Sequence, residues 1–211
     1  MKQYFPNWRL TLVVIMMIGL PRLMLAQSVK ASLGVSGGAG EMYLIERIEL
    51  GAVTEYKPTF GMGVDFELAF EEAYFDLAFS HLYLSTRYRS SWVNNPFANY
   101  LPINYNSFFF SLSHVTSEGR IRLGYQFGFG FSREVDEGRG AFFTGPHAEL
   151  FPSAQVSGIA RIPLSERIDL NLRPMLIWSD VIGTFRYNEW NLRGEDAHFF
   201  TQVGLRYNFV K

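Results

Sequence analysis

Residues 121–132 read IRLGYQFGFGFS. In an extended chain, Ile121, Leu123, Tyr125, Phe127, Phe129 and Phe131 share one face. Arg122, Gly124, Gln126, Gly128, Gly130 and Ser132 share the other. A side-chain period of two is the mark of a strand, and here it separates bulky apolar residues from small polar ones. The carboxy-terminal stretch repeats the pattern. Phe199, Thr201, Val203, Leu205, Tyr207 and Phe209 lie opposite Gln202, Gly204, Arg206 and Asn208.

Working outward from these two stretches, six further strands are predicted over 29–38, 60–70, 74–83, 103–115, 154–162 and 168–178. The 103–115 segment is the least regular, and Pro174, which cannot donate to a ladder, predicts a bulge or local irregularity. Short links (71–73, 117–120, 163–167) alternate with long ones (40–59, 90–102, 133–152, 180–197). Eight strands joined in this way predict an all-β fold: an eight-stranded antiparallel up-and-down transmembrane β-barrel with short periplasmic turns and long outer loops. A soluble barrel with an apolar interior has the same strand count. Side-chain size separates the two, because an eight-stranded interior is only just wide enough to be filled. Several Phe per strand would overfill it, so the bulky face is expected to meet lipid.

Composition agrees with alternation. Of 211 residues, 17% are aromatic and 18% charged, and mean hydropathy is near zero. There is no cysteine, which excludes disulfides, thiolate metal sites and a lipidated amino-terminal Cys. Residues 1–26 read as a signal peptide: Lys2 and Arg9, an apolar run from Leu10 to Leu20, the helix-breaking Pro21, and Ala26 at the cleavage position. An uncleaved anchor is the alternative. Removing Lys2, Arg9 and Arg22 leaves 16 basic against 20 acidic residues in 27–211, the expected barrel domain. Mild acidity with no basic cluster argues against nucleic acid. Aromatic residues near the predicted strand ends (Tyr74, Tyr83, Tyr88, Trp92, Tyr125, Trp178, Tyr207, Phe209) suit an interfacial girdle.

Three stretches carry a family resemblance: Pro58 to Leu68 (PTFGMGVDFEL), Ile162 to Leu170 (IPLSERIDL) and Val203 to Phe209 (VGLRYNF). The chain resembles the small outer-membrane β-barrel proteins common in Bacteroidetes, distantly similar to the OmpX and OmpA barrels. The resemblance covers residues 27–211 and mostly records architecture. It implies outer-membrane location, barrel-assembly machinery as a partner during biogenesis, and, for some such barrels, an accessory role in secretion or envelope assembly. The closing residues resemble the carboxy-terminal assembly signal, except that Val210 and Lys211 follow Phe209.

Candidate site residues follow from register. Glu67, Asp76, Arg122, Arg161, Asp169 and Arg206 all point inward in the periplasmic half. Buried charges must be paired, so these six are expected to form a lumen ion-pair cluster. Structural filling is preferred over a gated proton or solute path. His114, in Ser113-His-Val-Thr-Ser117, invites comparison with strand histidines of outer-membrane lipid hydrolases, but it lies at the predicted periplasmic end. His81 falls in the lipid-facing register, and His147 and His198 lie near outer loops, too scattered for a metal. Gly34, Gly37, Gly38 and Gly40 lack the following Lys-Ser/Thr of a phosphate cradle. No catalytic residue, cofactor or metal is expected.

The long loops are the best binding candidates, with Trp92, Phe97, Phe142, Phe143 and Trp190 as contact residues. The alternative is that loops one and three continue the strands as a β-skirt. The expected partners are outer-membrane lipid and lipopolysaccharide around the band, the assembly machinery, and a protein at the outer loops. The expected function is a non-enzymatic outer-membrane barrel with a structural or surface-interaction role. The alternatives are an accessory factor for secretion or envelope assembly, or a lipid-modifying hydrolase.

Overall fold

A computed structural model describes residues 29–44, 53–70, 73–91, 100–116, 119–136, 147–179 and 196–209. The expected signal peptide lies outside them. The strands are β1 (Val29–Leu44), β2 (Val53–Tyr56), β3 (Thr59–Phe70), β4 (Asp76–Ser91), β5 (Leu101–Val115), β6 (Arg122–Asp136), β7 (His147–Pro163), β8 (Ile168–Ser179) and β9 (Asp196–Asn208). Eight of them form a closed antiparallel barrel, each paired with its neighbour in sequence, and β1 pairs with β9 to shut it. Short β2 continues the line of β3 along the same edge of β4, pairing from Val53↔Ser91 to Tyr56↔Tyr88, one residue out of the Phe60↔Ser85 register below it.

The strand pairing fixes the shape of the cylinder. From Leu33, successive partners are Phe66, Phe79, Phe110, Phe129, Ala154, Trp178 and Ala197. The circuit returns to β1 at Tyr43, ten residues beyond its start. That offset over eight strands tilts them by about 40° to the barrel axis. It also means that neighbours along the hydrogen bonds climb steadily around the wall.

The bulky face is outside. Phe60, Met62, Phe108, Phe129, Phe131, Val156 and Val203 are exposed, several of them by more than half of their surface. The short turns are stitched locally. Gly119 adopts φ 104°, a left-handed conformation that favours glycine, between Thr116 and Leu123, whose backbones bond at 2.9 Å. In the third turn, Ser165 Oγ accepts from the amides of Arg167 and Ile168 at 3.3 and 3.1 Å.

The structure corrects two expectations and meets a third. The strands are longer than alternation suggested: β1 reaches Leu44, β4 reaches Ser91, and β6 and β7 pair as far as Asp136↔His147. In links one and three the chain therefore continues as β-structure, as the skirt alternative had it. The local irregularity expected at Pro174 is present, as a gap in the ladder and not as a bulge. The β7–β8 register is the same on both sides of it, but the ladder carries no pair between Ser157↔Met175 and Ala160↔Leu172. A residue without an amide hydrogen interrupts the bonding without adding length. Finally, the lumen is not small and polar throughout. At the long-link end it holds Met42, Leu82, Leu84, Ile103, Tyr105, Phe109, Met175, Ile177 and Phe200, each at most 6% exposed. Phe109 points in while Phe108 and Phe110 point out. At 108–110 both faces of β5 are apolar, and above them the polarity inverts, with Ile103 and Tyr105 inward and Asn104 and Asn106 outward, which explains the irregular reading of 103–115.

Candidate functional site in the barrel lumen

Inward positions of the eight strands build three layers. Uppermost is the apolar plug just described. His198 stands within it, 1% exposed, edge-on to the Tyr105 ring at 4.6 Å. Below lies a belt of hydroxyl and amide groups. Ser107, Ser132 and Ser153 form a chain with 2.7 and 2.8 Å links, and Gln155 donates to Ser111 at 2.7 Å.

The lowest layer is charged. Arg206 reaches from β9 to both acids of β3. One of its terminal nitrogens contacts Asp65, and the other lies 2.8 Å from Glu67 and donates to Ser32 at 2.7 Å. Arg161, on the opposite wall, meets Glu67 at 2.7 Å, and Ser113 adds a 3.2 Å hydrogen bond to the same oxygen. Arg173 stands 3.7 Å from Asp65 and holds Gln202 at 2.7 Å and Gln126 at 3.2 Å. Side chains from β5, β7, β8 and β9 therefore meet on the two carboxylates of β3. Asp65, Glu67 and Arg206 are at most 3% exposed, and Coulomb attraction is strong where water is excluded. Gly34 makes room: a Cβ there would stand 2.5 Å from Asp65 Oδ1.

Of the six lumen charges named from the sequence, Glu67, Arg161 and Arg206 lie in this layer. Asp76, Arg122 and Asp169 stand lower and line a vestibule of about 400 Å³ at the turn end, with Lys30, Glu166 and Asn208. Asp169 accepts from Asn208 at 3.1 Å. Asp65 and Arg173 belong to the layer and were missed, although both fall in the inward register. Their height in the barrel was the missing information.

No family model matches the chain, and no curated protein matches it. Among solved structures it is similar to Ail, the attachment invasion locus protein of Yersinia pestis, in complex with the heparin analogue sucrose octasulfate. That match has 10% identity over 85% of this chain and 99% of that one, with a TM-score of 0.48. It is similar to neisserial surface protein A, at 10% identity over 85% and 97% with a TM-score of 0.49. It is also similar to the outer membrane protein OprG of Pseudomonas aeruginosa, at 8% identity over 87% and 95% with a TM-score of 0.48.

His114 faces outward at the turn end. Its ring stacks on Tyr74 at 4.2 Å, and its Nδ1 lies 2.8 Å from the Tyr74 carbonyl. Ser113 points into the lumen towards Glu67, so the two neighbours face opposite sides of the wall and do not form a nucleophile–base pair. His81 faces outward and stacks on Phe108 at 4.4 Å. Among the described residues, no three His, Asp or Glu side chains group as a metal site. Tyr74, Tyr125 and Tyr207 sit at the turn end, where Tyr125 donates to Tyr74 at 3.4 Å and Arg167 to the Tyr207 hydroxyl at 3.3 Å. The loop candidates Trp92, Phe97, Phe142, Phe143 and Trp190 lie outside the described residues.

Proposed function

We propose that this chain is an integral outer-membrane barrel, closed to solutes, that works without catalysis at the cell surface through the long-link end. One observation carries the reading: large apolar side chains cover the outside of the wall, while the lumen is filled by an apolar plug over a charged layer. In water that exterior would be a continuous apolar patch far larger than soluble monomers carry. In hydrocarbon it is matched to its solvent, and the closed ladder leaves no edge unbonded. The filled lumen leaves a rigid wall with a dense interior, which suits a scaffold for surface contacts better than a diffusion pore.

The test uses a residue in the middle of the band. Phe127→Arg is expected to destabilise the barrel refolded in lipid vesicles by about 2–4 kcal/mol, read as a shift of the chemical unfolding midpoint. A soluble barrel would lose almost nothing on gaining a surface charge, so an unchanged midpoint would sink the membrane reading. A parallel check is gel mobility of boiled against unboiled protein from purified outer membranes. A faster unboiled band is expected, and recovery in the soluble periplasmic fraction would reverse the assignment of inside and outside. Planar-bilayer recordings are expected to show no conductance of porin size.

A further inference from the structure

The outer wall is not uniform above its apolar band. On β4 the outward residues run Phe79, His81, Tyr83, Ser85, Arg87, Arg89, and on β5 they run Phe108, Asn106, Asn104, Pro102. On β6 the exposed Phe129 and Phe131 are followed by exposed Arg133. Beside β4, between β2 and β3, Lys57 is bound through its amide to the Arg87 carbonyl at 2.8 Å, and the Thr86 hydroxyl donates to the Lys57 carbonyl at 2.7 Å. The Lys57 ammonium lies 4.4 Å from the centre of the Tyr100 ring, and the Arg89 guanidinium 5.1 Å from it. Four cations thus sit on one sector of the wall, immediately beyond the last outward aromatics. The register sets two acids against these four cations, Glu55 as the partner of Arg89 and Glu41 one step beyond the Gly40↔Thr59 pair, so the sector keeps a net positive charge. Across β8, β9 and β1 the outward residues at the same end are Leu176, Trp178, Ala197, Phe199, Ala39 and Glu41, with no cation among them.

We infer that this sector binds the phosphate groups of an outer-leaflet glycolipid, with Lys57, Arg87 and Arg89 taking one phosphate and Arg133 a second. The inference rests on the membrane reading above. Charge complementarity sets the ligand class, because a cation cluster at the edge of hydrocarbon faces headgroups, and arginine forks match phosphate oxygens. Spacing sets the number of phosphates. Arg87 and Arg133 are two strands and four residues apart, since Arg87 pairs with Pro102 and Arg133 with Asn106. That is about 16 Å between backbones, within reach of two long side chains gripping opposite ends of a phosphorylated disaccharide. Asn104 and Asn106 lie between the two poles and offer amides to sugar hydroxyls. The Asn104 Oδ1 accepts from the Tyr83 hydroxyl at 3.0 Å, so what this side chain would offer a sugar is its amide nitrogen, as a donor. Tyr100 keeps two like charges together through its ring face.

The test measures binding of lipid A to the refolded full-length protein in phosphatidylcholine nanodiscs, using the bisphosphorylated, monophosphorylated and dephosphorylated forms. Wild type is expected to prefer the bisphosphorylated over the dephosphorylated form by about tenfold or more, with the preference falling as salt rises. The triple variant Lys57→Gln/Arg87→Gln/Arg89→Gln is expected to lose that preference. Arg133→Gln is expected to bind the bisphosphorylated and monophosphorylated forms alike. Arg120→Gln, at the turn end, serves as the control and is expected to behave as wild type. Each variant is first checked for the fast unboiled gel band, so loss of binding is not loss of fold. Equal binding of all three lipids by wild type, or an unchanged preference in the triple variant, overturns the inference while leaving the membrane reading intact. Displacement by excess inorganic phosphate overturns the lipid assignment in favour of a soluble phosphate ligand. Recovery of the protein in the soluble fraction overturns both.

Discussion

Arg206→Met is expected to destabilise the barrel by about 3–5 kcal/mol, one of the two largest single effects in the molecule. The guanidinium contacts Asp65, lies 2.8 Å from Glu67 and donates to Ser32. Methionine has a similar length but takes a charged partner from each of two carboxylates that are themselves at most 3% exposed. Arg161 still holds Glu67 at 2.7 Å, while Asp65 is left with Arg173 at 3.7 Å. Asp65 is therefore the group that suffers most. Asp65→Asn in the Arg206→Met background is expected to recover much of the loss, because it removes the stranded charge and keeps the shape. The measurement is the equilibrium urea midpoint in lipid vesicles for the two single variants and the double. Additive losses would contradict the pairing described here. Conductance is expected to stay at the wild-type level, since the apolar plug above is untouched.

Phe200→Ala is expected to cost a similar amount, about 3–5 kcal/mol. Its side chain is 2% exposed and packs in the plug with Met42, Leu84, Tyr105, Phe109 and Ile177. The rigid wall of paired strands cannot collapse into the space left behind, so most of the cavity penalty is retained. Electrically the two variants are expected to be silent alone and active together. Phe200→Ala opens the plug and leaves the charged layer closed; Arg206→Met does the reverse. Combining them is expected to give small, discrete ion conductance in planar bilayers. Conductance from Phe200→Ala alone would show that the charged layer is no barrier and would undo the account of a lumen closed twice over.

How much of this was legible beforehand differs by layer. Residues 121–132 and 201–209 displayed the fold because a bulky apolar face alternates with one of glycine and polar residues; Phe200, just before the second stretch, already belongs to the plug. The barrel closure followed from link lengths. The plug was illegible for the opposite reason: Leu82 and Leu84 point inward while Tyr83 points out, and a segment apolar on both faces has no period to read. The charged layer was half legible. Alternation tells which residues point inward, and Asp65 and Arg173 both satisfied it. It does not tell how high each stands, because height depends on the ten-residue offset around the cylinder, and no single strand carries that quantity. Asp76, Arg122 and Asp169 were therefore grouped with Glu67 although they line the mouth below it. The basic sector near Tyr100 was missed because its members are far apart in sequence and gather only when β2, β4, β5 and β6 are side by side.

The ten-residue offset and the seam between β1 and β9 bear on how this molecule comes into being. The contact between Arg161 and Glu67 spans 94 residues of chain, that between Arg206 and Asp65 spans 141, and that between Arg206 and Ser32 spans 174. None of them can exist in a sheet whose first and last strands have not met. Until that moment five charged side chains face an open trough and need water around them. A nascent sheet that entered hydrocarbon flat would carry those charges in bare. Assembly must instead keep the inner surface wet while the outer surface is already in lipid, and dry the lumen only as the seam zips shut. The charged layer thus acts as a timer: it penalises early burial and rewards only the finished cylinder.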